Sequence, residues 1–245
     1  MKTLKFSVIL IALSFISFTI YSQGDPKLTE FWEPVPATVT PGTGTSAPSD
    51  AIVLYDGSSL DQWQNKDGGK VEWVNKDGVL TVKPGTGAIS TKTLFADCQL
   101  HIEWRTPSTV VGESQGRGNS GIFFQERYEL QVLDNYENRT YSNGQAGSIY
   151  KQNMPLINCC RKPGEWQTYD VIFTAPRFNE DGSLKSPAYI TVLQNNILVQ
   201  NNFELKGSTA YIGLPSYKKH DLKGALVLQE HGNDVSYRNI WIREL

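Results

Sequence analysis

The sequence predicts an antiparallel β-sandwich, and three observations carry that prediction. Short runs alternate apolar and polar residues, tight-turn dipeptides recur between them, and no long stretch keeps a helical period. The turns are marked by Asp56-Gly57, Asp67-Gly68, Asp77-Gly78, Asn143-Gly144 and Asp181-Gly182. A content of 21 Gly against 2 Met agrees with turns and strands rather than a helical bundle.

Residues 1–22 read as an export signal. Lys2 and Lys5 give the positive start, Phe6 to Ile20 is almost wholly apolar, and Ser22 offers a small residue before a cut. The apolar run is about fifteen residues, short for a spanning helix of roughly twenty. A retained anchor is the alternative. Cleavage would leave 21 basic against 25 acidic residues, a formal charge of −4. The expected location is therefore periplasmic or extracellular in a bacterium, with no membrane span after cleavage. No basic excess exists to neutralise a phosphate backbone, which excludes nucleic acid as the expected partner.

Residues 23–49 form an extended arm on composition, holding five of the 12 prolines among Gly, Thr and Ser. Residues 50–245 form the domain. Its hairpins are Val71–Val74 with Val79–Val82, and Ile190–Leu193 with Ile197–Gln200. Further strands are expected at Leu100–Arg105, Ser120–Gln125, Tyr128–Leu133, Trp166–Thr174, Leu226–His231 and Asn239–Arg243. The cysteines, Cys98, Cys159 and Cys160, are odd in number. One bridge from Cys98 to either of the others, or free buried thiols, both fit.

Neighbouring side chains in a strand point to opposite faces. Leu100, Ile102 and Trp104 thus oppose His101, Glu103 and Arg105. Tyr128, Leu130 and Val132 oppose Glu129 and Gln131. Leu226 and Leu228 oppose Gln229 and His231. If these strands share one sheet, their polar sides make the floor of one groove. Solvated outer faces are the alternative, since every sandwich has them.

Several stretches stand out in order. Leu54-Tyr55-Asp56-Gly57-Ser58-Ser59-Leu60-Asp61-Gln62-Trp63 opens the domain. Gly118-Asn119-Ser120-Gly121-Ile122-Phe123-Phe124, Tyr128-Glu129-Leu130-Gln131-Val132-Leu133-Asp134 and Gly164-Glu165-Trp166 follow. Leu228-Gln229-Glu230-His231-Gly232 then precedes Tyr237-Arg238-Asn239-Ile240. In this order they resemble the 3-keto-disaccharide hydrolase family, from about Ala51 to Leu245. The resemblance implies an all-β, concanavalin/laminarinase-like jelly roll of two antiparallel sheets. It also implies bacterial export and action on 3-keto-glycosides.

The implied chemistry is coherent. A ketone at sugar C3 acidifies the C2 proton, and loss of that proton lets the C1 oxygen leave by elimination. Water then adds back for net hydrolysis. This needs a base near C2, a donor at the C3 oxygen and an acid for the leaving group. The base candidates are Glu103, Glu129 and His231. For the latter two, sugar-hydroxyl binding by Glu129 and turn capping by His231 are the structural alternatives.

Arg105, Asn119, Gln131 and Gln229 are candidate substrate donors on the groove face. Arg117 is placed on a glycine-rich rim loop, residues 112–121, and Tyr150 and Lys151 on another loop. Asp134 joins Glu129 and His231 as a conceivable metal ligand. No cofactor is specified; a divalent cation stays open, because no spacing rule selects its ligands. One Trp among Trp63, Trp73, Trp104, Trp166 and Trp241 is a conceivable sugar platform. A non-catalytic carbohydrate-binding module is the rival reading. A laminarinase-like retaining glycosidase fits less well, since the strand Tyr128–Asp134 lacks a carboxylate trio. The oligomeric state is open.

Overall fold

The computed structural model describes residues 24–245; the expected export signal lies outside the described residues. The chain divides into two compact units, Met1–Thr38 and Val39–Leu245. In the first, the described residues hold one 3-10 turn, Pro26–Thr29, started by Asp25, whose side chain accepts from the Lys27 N–H at 3.1 Å. Phe31 and Trp32 are exposed.

The second unit is built of strands. In chain order they are β1 (Ile52–Tyr55), β2 (Trp63–Asn65), β3 (Val74–Lys76), β4 (Val79–Thr81), β5 (Ile89–Phe95), β6 (Cys98–Arg105), β7 (Ser120–Phe124) and β8 (Tyr128–Val132). They continue with β9 (Gln167–Thr174), β10 (Arg177–Phe178), β11 (Leu184–Ser186), β12 (Tyr189–Gln194), β13 (Ile197–Glu204), β14 (Gly224–Leu228) and β15 (Ser236–Glu244). No α-helix occurs among the described residues, and none of them forms a helix long and apolar enough to cross a membrane.

Two antiparallel sheets make a jelly-roll sandwich. The larger has the order β13-β12-β9-β6-β15-β4-β3, with β1 also pairing β15; the smaller has the order β2-β5-β14-β7-β8. Strands β10 and β11 form a separate ribbon. The expected hairpin turns are present. Asp77 and Gly78 join β3 to β4 with φ of +52° and +75°, and Asn195 and Asn196 join β12 to β13 with φ of +52° and +66°. Two successive positive φ values match the twist of a two-residue hairpin, and Asp, Asn and Gly tolerate them best.

Alternation places the core as expected. Leu100, Ile102 and Trp104 of β6 and Tyr128, Leu130 and Val132 of β8 are all essentially inaccessible to solvent. Phe124 stacks on Phe173 across the sandwich with ring centroids 4.8 Å apart, and Tyr169 Oη donates to the Gln131 carbonyl at 2.8 Å. Each such large apolar side chain contributes about 1.5–3 kcal/mol on burial. The three cysteines are free thiols.

One expectation is corrected here. Leu100–Arg105 does not share a sheet with Tyr128–Leu133 and Leu226–His231. Strand β6 lies between β9 and β15 in the larger sheet, whereas β8 and β14 belong to the smaller one. The polar face of β6 therefore points out of the opposite side of the sandwich. There it is covered by the chain entering the domain. Thr45 Oγ1 donates to Glu103 Oε1 at 3.1 Å, and Asn239 Nδ2 and Trp241 Nε1 each donate to the Thr45 carbonyl at 2.9 Å. Part of the segment read as an arm thus packs on the larger sheet.

Candidate active site

The outer face of the smaller sheet carries a cleft of about 500 Å³. Its floor comes from β7 and β8. Glu129 and Gln131 turn away from the core because Tyr128, Leu130 and Val132 turn into it. Across the ladder, Phe123 pairs with Glu129 and Gly121 with Gln131. The β8 edge is covered by the segment that follows. Gly147 N donates to the Gln131 carbonyl at 3.1 Å, and Tyr150 N donates to the Glu129 carbonyl at 3.3 Å. That pairing brings Tyr150 and Lys151 beside Glu129.

The walls come from loops. Gln115 and Asn119 enter from the glycine-rich stretch, Tyr141 from the turn before Asn143-Gly144, and Thr209 and Tyr211 from the segment after β13. Thr209 is fixed twice: its N–H donates to the Arg127 carbonyl at 2.8 Å, and its Oγ1 accepts from the Glu129 N–H at 3.0 Å. Gln229 lies one residue beyond β14, tied by its N–H to the Gly121 carbonyl at 2.9 Å. His231 stands at the exposed mouth and makes no hydrogen bond to a described residue. The turn before Gly232 is capped by Glu230, whose Oε1 accepts from the Gly232 N–H at 2.5 Å.

Among the described residues, Glu129 is the single acidic side chain lining this cleft. Its residue exposure is 5%, and burial pushes its carboxyl up to about 8. The Gln131 amide lies between it and Gln115. With its nitrogen turned to Glu129, that amide reaches Glu129 Oε1 and the Ser120 carbonyl at 3.2 Å each. In the reverse setting it donates to Gln115 Oε1 at 3.0 Å. Gln229 Oε1 is buried without a partner among the described residues. A buried acceptor left bare is costly, and this one faces the cleft.

At the wall, Tyr141 Oη and Tyr150 Oη are 2.6 Å apart. Lys151 Nζ donates to the Tyr211 carbonyl at 2.6 Å and sits 4.1 Å from the centre of that ring. Burial raises the Tyr150 phenol, as do its hydrogen bond to Tyr141 and the charges of Tyr141, Glu129 and Tyr211.

Seven expected site residues thus meet in one cleft: Asn119, Glu129, Gln131, Tyr150, Lys151, Gln229 and His231. Four do not. Glu103 and Arg105 lie on the other sheet. Glu103 Oε2 accepts from Arg238 Nε at 2.6 Å, and Arg105 and Arg238 stack on Trp166 at 4.6 and 4.1 Å. Arg117 is bound to Asp134 at 2.6 Å and donates to the Tyr136 carbonyl at 3.0 Å. That ion pair pins the rim loop and lines a separate hollow with Val110 and Val111. Glu129, Asp134 and His231, conceivable as metal ligands, are thus not brought together, since Asp134 lies in the other hollow. Among the described residues no three His, Cys, Asp or Glu side chains form a metal-holding group.

None of the Trp residues lines the cleft; its aromatic side chains are Phe123, Tyr141, Tyr150 and Tyr211. Sequence reasoning missed Gln115, Phe123, Tyr141, Thr209 and Tyr211. Phe123 was readable, since it shares the Gly121 face of β7. Thr209 and Tyr211 carry no local pattern.

A single buried carboxyl does not fit the paired carboxylates of ordinary glycosidases. Residues 50–243 match the family described as the 3-keto-alpha-glucoside-1,2-lyase-like domain. The chain belongs to this family. A relative in it, the 3-keto-disaccharide hydrolase of Bacteroides thetaiotaomicron, is 24% identical over 235 residues, which is 79% of this chain and 78% of that one. A crystal structure from Parabacteroides distasonis, described as a candidate glycosyl hydrolase, is 53% identical with a TM-score of 0.88. It covers 92% of this chain and 98% of its own. A second one from that organism, 22% identical with a TM-score of 0.59, covers 80% and 94% and shares the fold. The family model and these likenesses all point to carbohydrate-active proteins.

Proposed function

We propose that the protein is an exported bacterial enzyme that cleaves 3-keto-glycosides or 3-keto-disaccharides by C2 proton removal, elimination and hydration. The observation that carries this reading is Glu129, alone among acidic residues in the cleft and pushed up to about 8 by burial. A base of that strength suits a C–H proton made acidic by a neighbouring ketone. A displacement at C1 through paired carboxylates has no second partner here.

Glu129 takes the C2 proton, and the Gln131 amide nitrogen, turned toward it, hydrogen-bonds Glu129 Oε1 at 3.2 Å. Asn119 Nδ2, with one hydrogen on the Gln115 carbonyl at 2.7 Å and one to spare, supplies an amide donor for the C3 oxygen as it gains enolate charge. The unpartnered Gln229 Oε1 accepts from a sugar hydroxyl. Tyr211 and Phe123 offer apolar faces to the ring. Export rests on Lys2, Lys5 and the apolar run to Ile20.

The test is turnover of a 3-keto-glycoside and its 3-hydroxy counterpart with the same aglycone. Aglycone release from the keto sugar alone, with solvent deuterium entering C2, is expected. Binding of either sugar with no release from both would leave a carbohydrate-binding module instead.

A further inference from the structure

The cleft contains a second proton-bearing group that faces the base. We infer that Tyr150, held by Tyr141 and Lys151, is the acid that protonates the departing C1 oxygen and later takes a proton from water. This deepens the proposed 3-keto-glycoside reading and rests on it.

Three observations support the assignment. Tyr150 Oη and Tyr141 Oη form a 2.6 Å hydrogen bond, so either phenol can support the other as a phenolate. The Lys151 ammonium lies 5.8 Å from the centre of the Tyr150 ring and 5.9 Å from that of the Tyr141 ring, a positive charge beside both phenols' rings. Lys151 itself is held at φ +58°, with its N–H donating to the Asn143 carbonyl at 2.8 Å. Glycine or asparagine would occupy that backbone region with less strain. His231 is the competing acid, and among the described residues no hydrogen bond orients its ring.

The position is right as well. Tyr150 follows directly on the segment that pairs with Glu129, so acid and base are presented by adjacent backbone. Glu129, Tyr141 and Tyr150 line one chamber, and burial above all raises both phenols. Raised phenols stay protonated through the neutral range, which keeps the acid loaded.

The step balances without an oxidant or a metal. Glu129 takes the C2 proton, and the C2–H electron pair becomes the C1=C2 bond. The C1–O bond breaks with its electrons on the leaving oxygen, which receives the Tyr150 proton. Tyr150 is left as a phenolate, hydrogen-bonded by Tyr141. In the return half, water adds at C1 and gives a proton to Tyr150, while Glu129 returns its proton to C2. Tyr150 is then the catalytic residue, and Tyr141 and Lys151 are positioning residues.

The experiment uses two 3-keto-glucosides, one with a methoxy and one with a 4-nitrophenoxy leaving group. Methoxide needs an acid to leave, whereas 4-nitrophenolate does not. Tyr150→Phe is expected to lower cleavage of the methyl substrate by about 10²–10³-fold and of the nitrophenyl substrate by less than about tenfold. Deuterium exchange at C2 should persist, which also reports that the variant is folded with its base intact. Lys151→Met and Tyr141→Phe should show the same leaving-group dependence on a smaller scale; a merely structural role would lower both substrates alike. Equal losses on the two substrates, or the leaving-group dependence appearing in His231→Gln instead, overturns the assignment of Tyr150. A wild-type protein that turns over neither substrate overturns the functional reading first, and this inference with it.

Discussion

Gly121 leaves the space that the Glu129 carboxylate occupies: a Cβ at Gly121 would stand 2.7 Å from Glu129 Oε1. It would also meet Phe123 at 3.0 Å and Gln229 Oε1 at 3.2 Å. Gly121 sits in the middle of β7, where its backbone conformation does not demand glycine, so the requirement comes from the opposing carboxyl. Gly121→Ala should fold and bind, with the Glu129 side chain displaced. Overpacking of this kind costs about 1–3 kcal/mol. A fall in kcat on a 3-keto-glycoside larger than the change in KM is expected from steady-state kinetics. Unchanged kcat would mean that Glu129 does not work from its observed position.

The pH dependence of turnover follows from the same carboxyl. A base must be deprotonated to work, and burial pushes Glu129 up to about 8. The rate should therefore climb through the neutral range and level off above about pH 8, losing about tenfold per pH unit below it. Glu129→Gln should remove this limb and lower the plateau by about 10²–10⁴-fold. A kcat/KM profile already flat from pH 5 to 8 would assign the proton transfer to another group.

Stability should move in the opposite sense. The folded-state value lies above the ordinary 4.5 of an unfolded glutamate. Below about 4.5 both states hold the proton and Glu129 costs nothing. Between 4.5 and about 8 the unfolded chain releases it while the folded protein retains it, so stability falls as pH rises. The full penalty, at most roughly 5 kcal/mol at 1.36 kcal/mol per pH unit, is present above about pH 8. Glu129→Gln removes it. Thermal melts should find wild type and variant alike at pH 4 and the variant more stable at pH 8.5. A variant that melts lower than wild type at pH 8.5 would contradict the burial argument.

The fold was legible where local chemistry decides it. Asp77-Gly78 and Asn195-Asn196 announced their hairpins, and alternation in Tyr128–Val132 separated the core from the cleft. Strand β5 was missed because Ser90 and Thr91 are both buried, which breaks the period-2 pattern. The sheet that β6 joins is set by pairing with β9 and β15, far away in sequence, and no local pattern reveals it. Glu103 and Arg117 look like catalytic and binding residues by type, yet Arg238 and Asp134 occupy them. Thr209 and Tyr211 are held over the cleft by bonds to Arg127, Glu129 and Lys151, all far away in sequence.

Glu103 gives the sharpest contrast between residue type and role. Burial works to raise its carboxyl, but hydrogen bonds from Asn239 and Arg238, the Arg238 charge and a bond from Thr45 outweigh it and hold it below the usual carboxylate range. It stays charged and serves as the hub that fastens residues near Thr45 to β6 and β15. Glu103→Ala strips the acceptor from three donors at once. Arg238 is partly solvated and recovers some of its loss in water, so a cost of about 2–3 kcal/mol is expected rather than that of a fully buried pair. Because Glu103 faces away from the cleft, the folded variant should keep wild-type kcat and KM on a 3-keto-glycoside while its Tm drops. Its folded-state value is depressed, so the stabilisation it provides is present above the unfolded glutamate range and fades as pH falls through the folded value. The gap in Tm between wild type and variant should accordingly narrow in acid. A variant with wild-type Tm and lost turnover would return Glu103 to the catalytic residues.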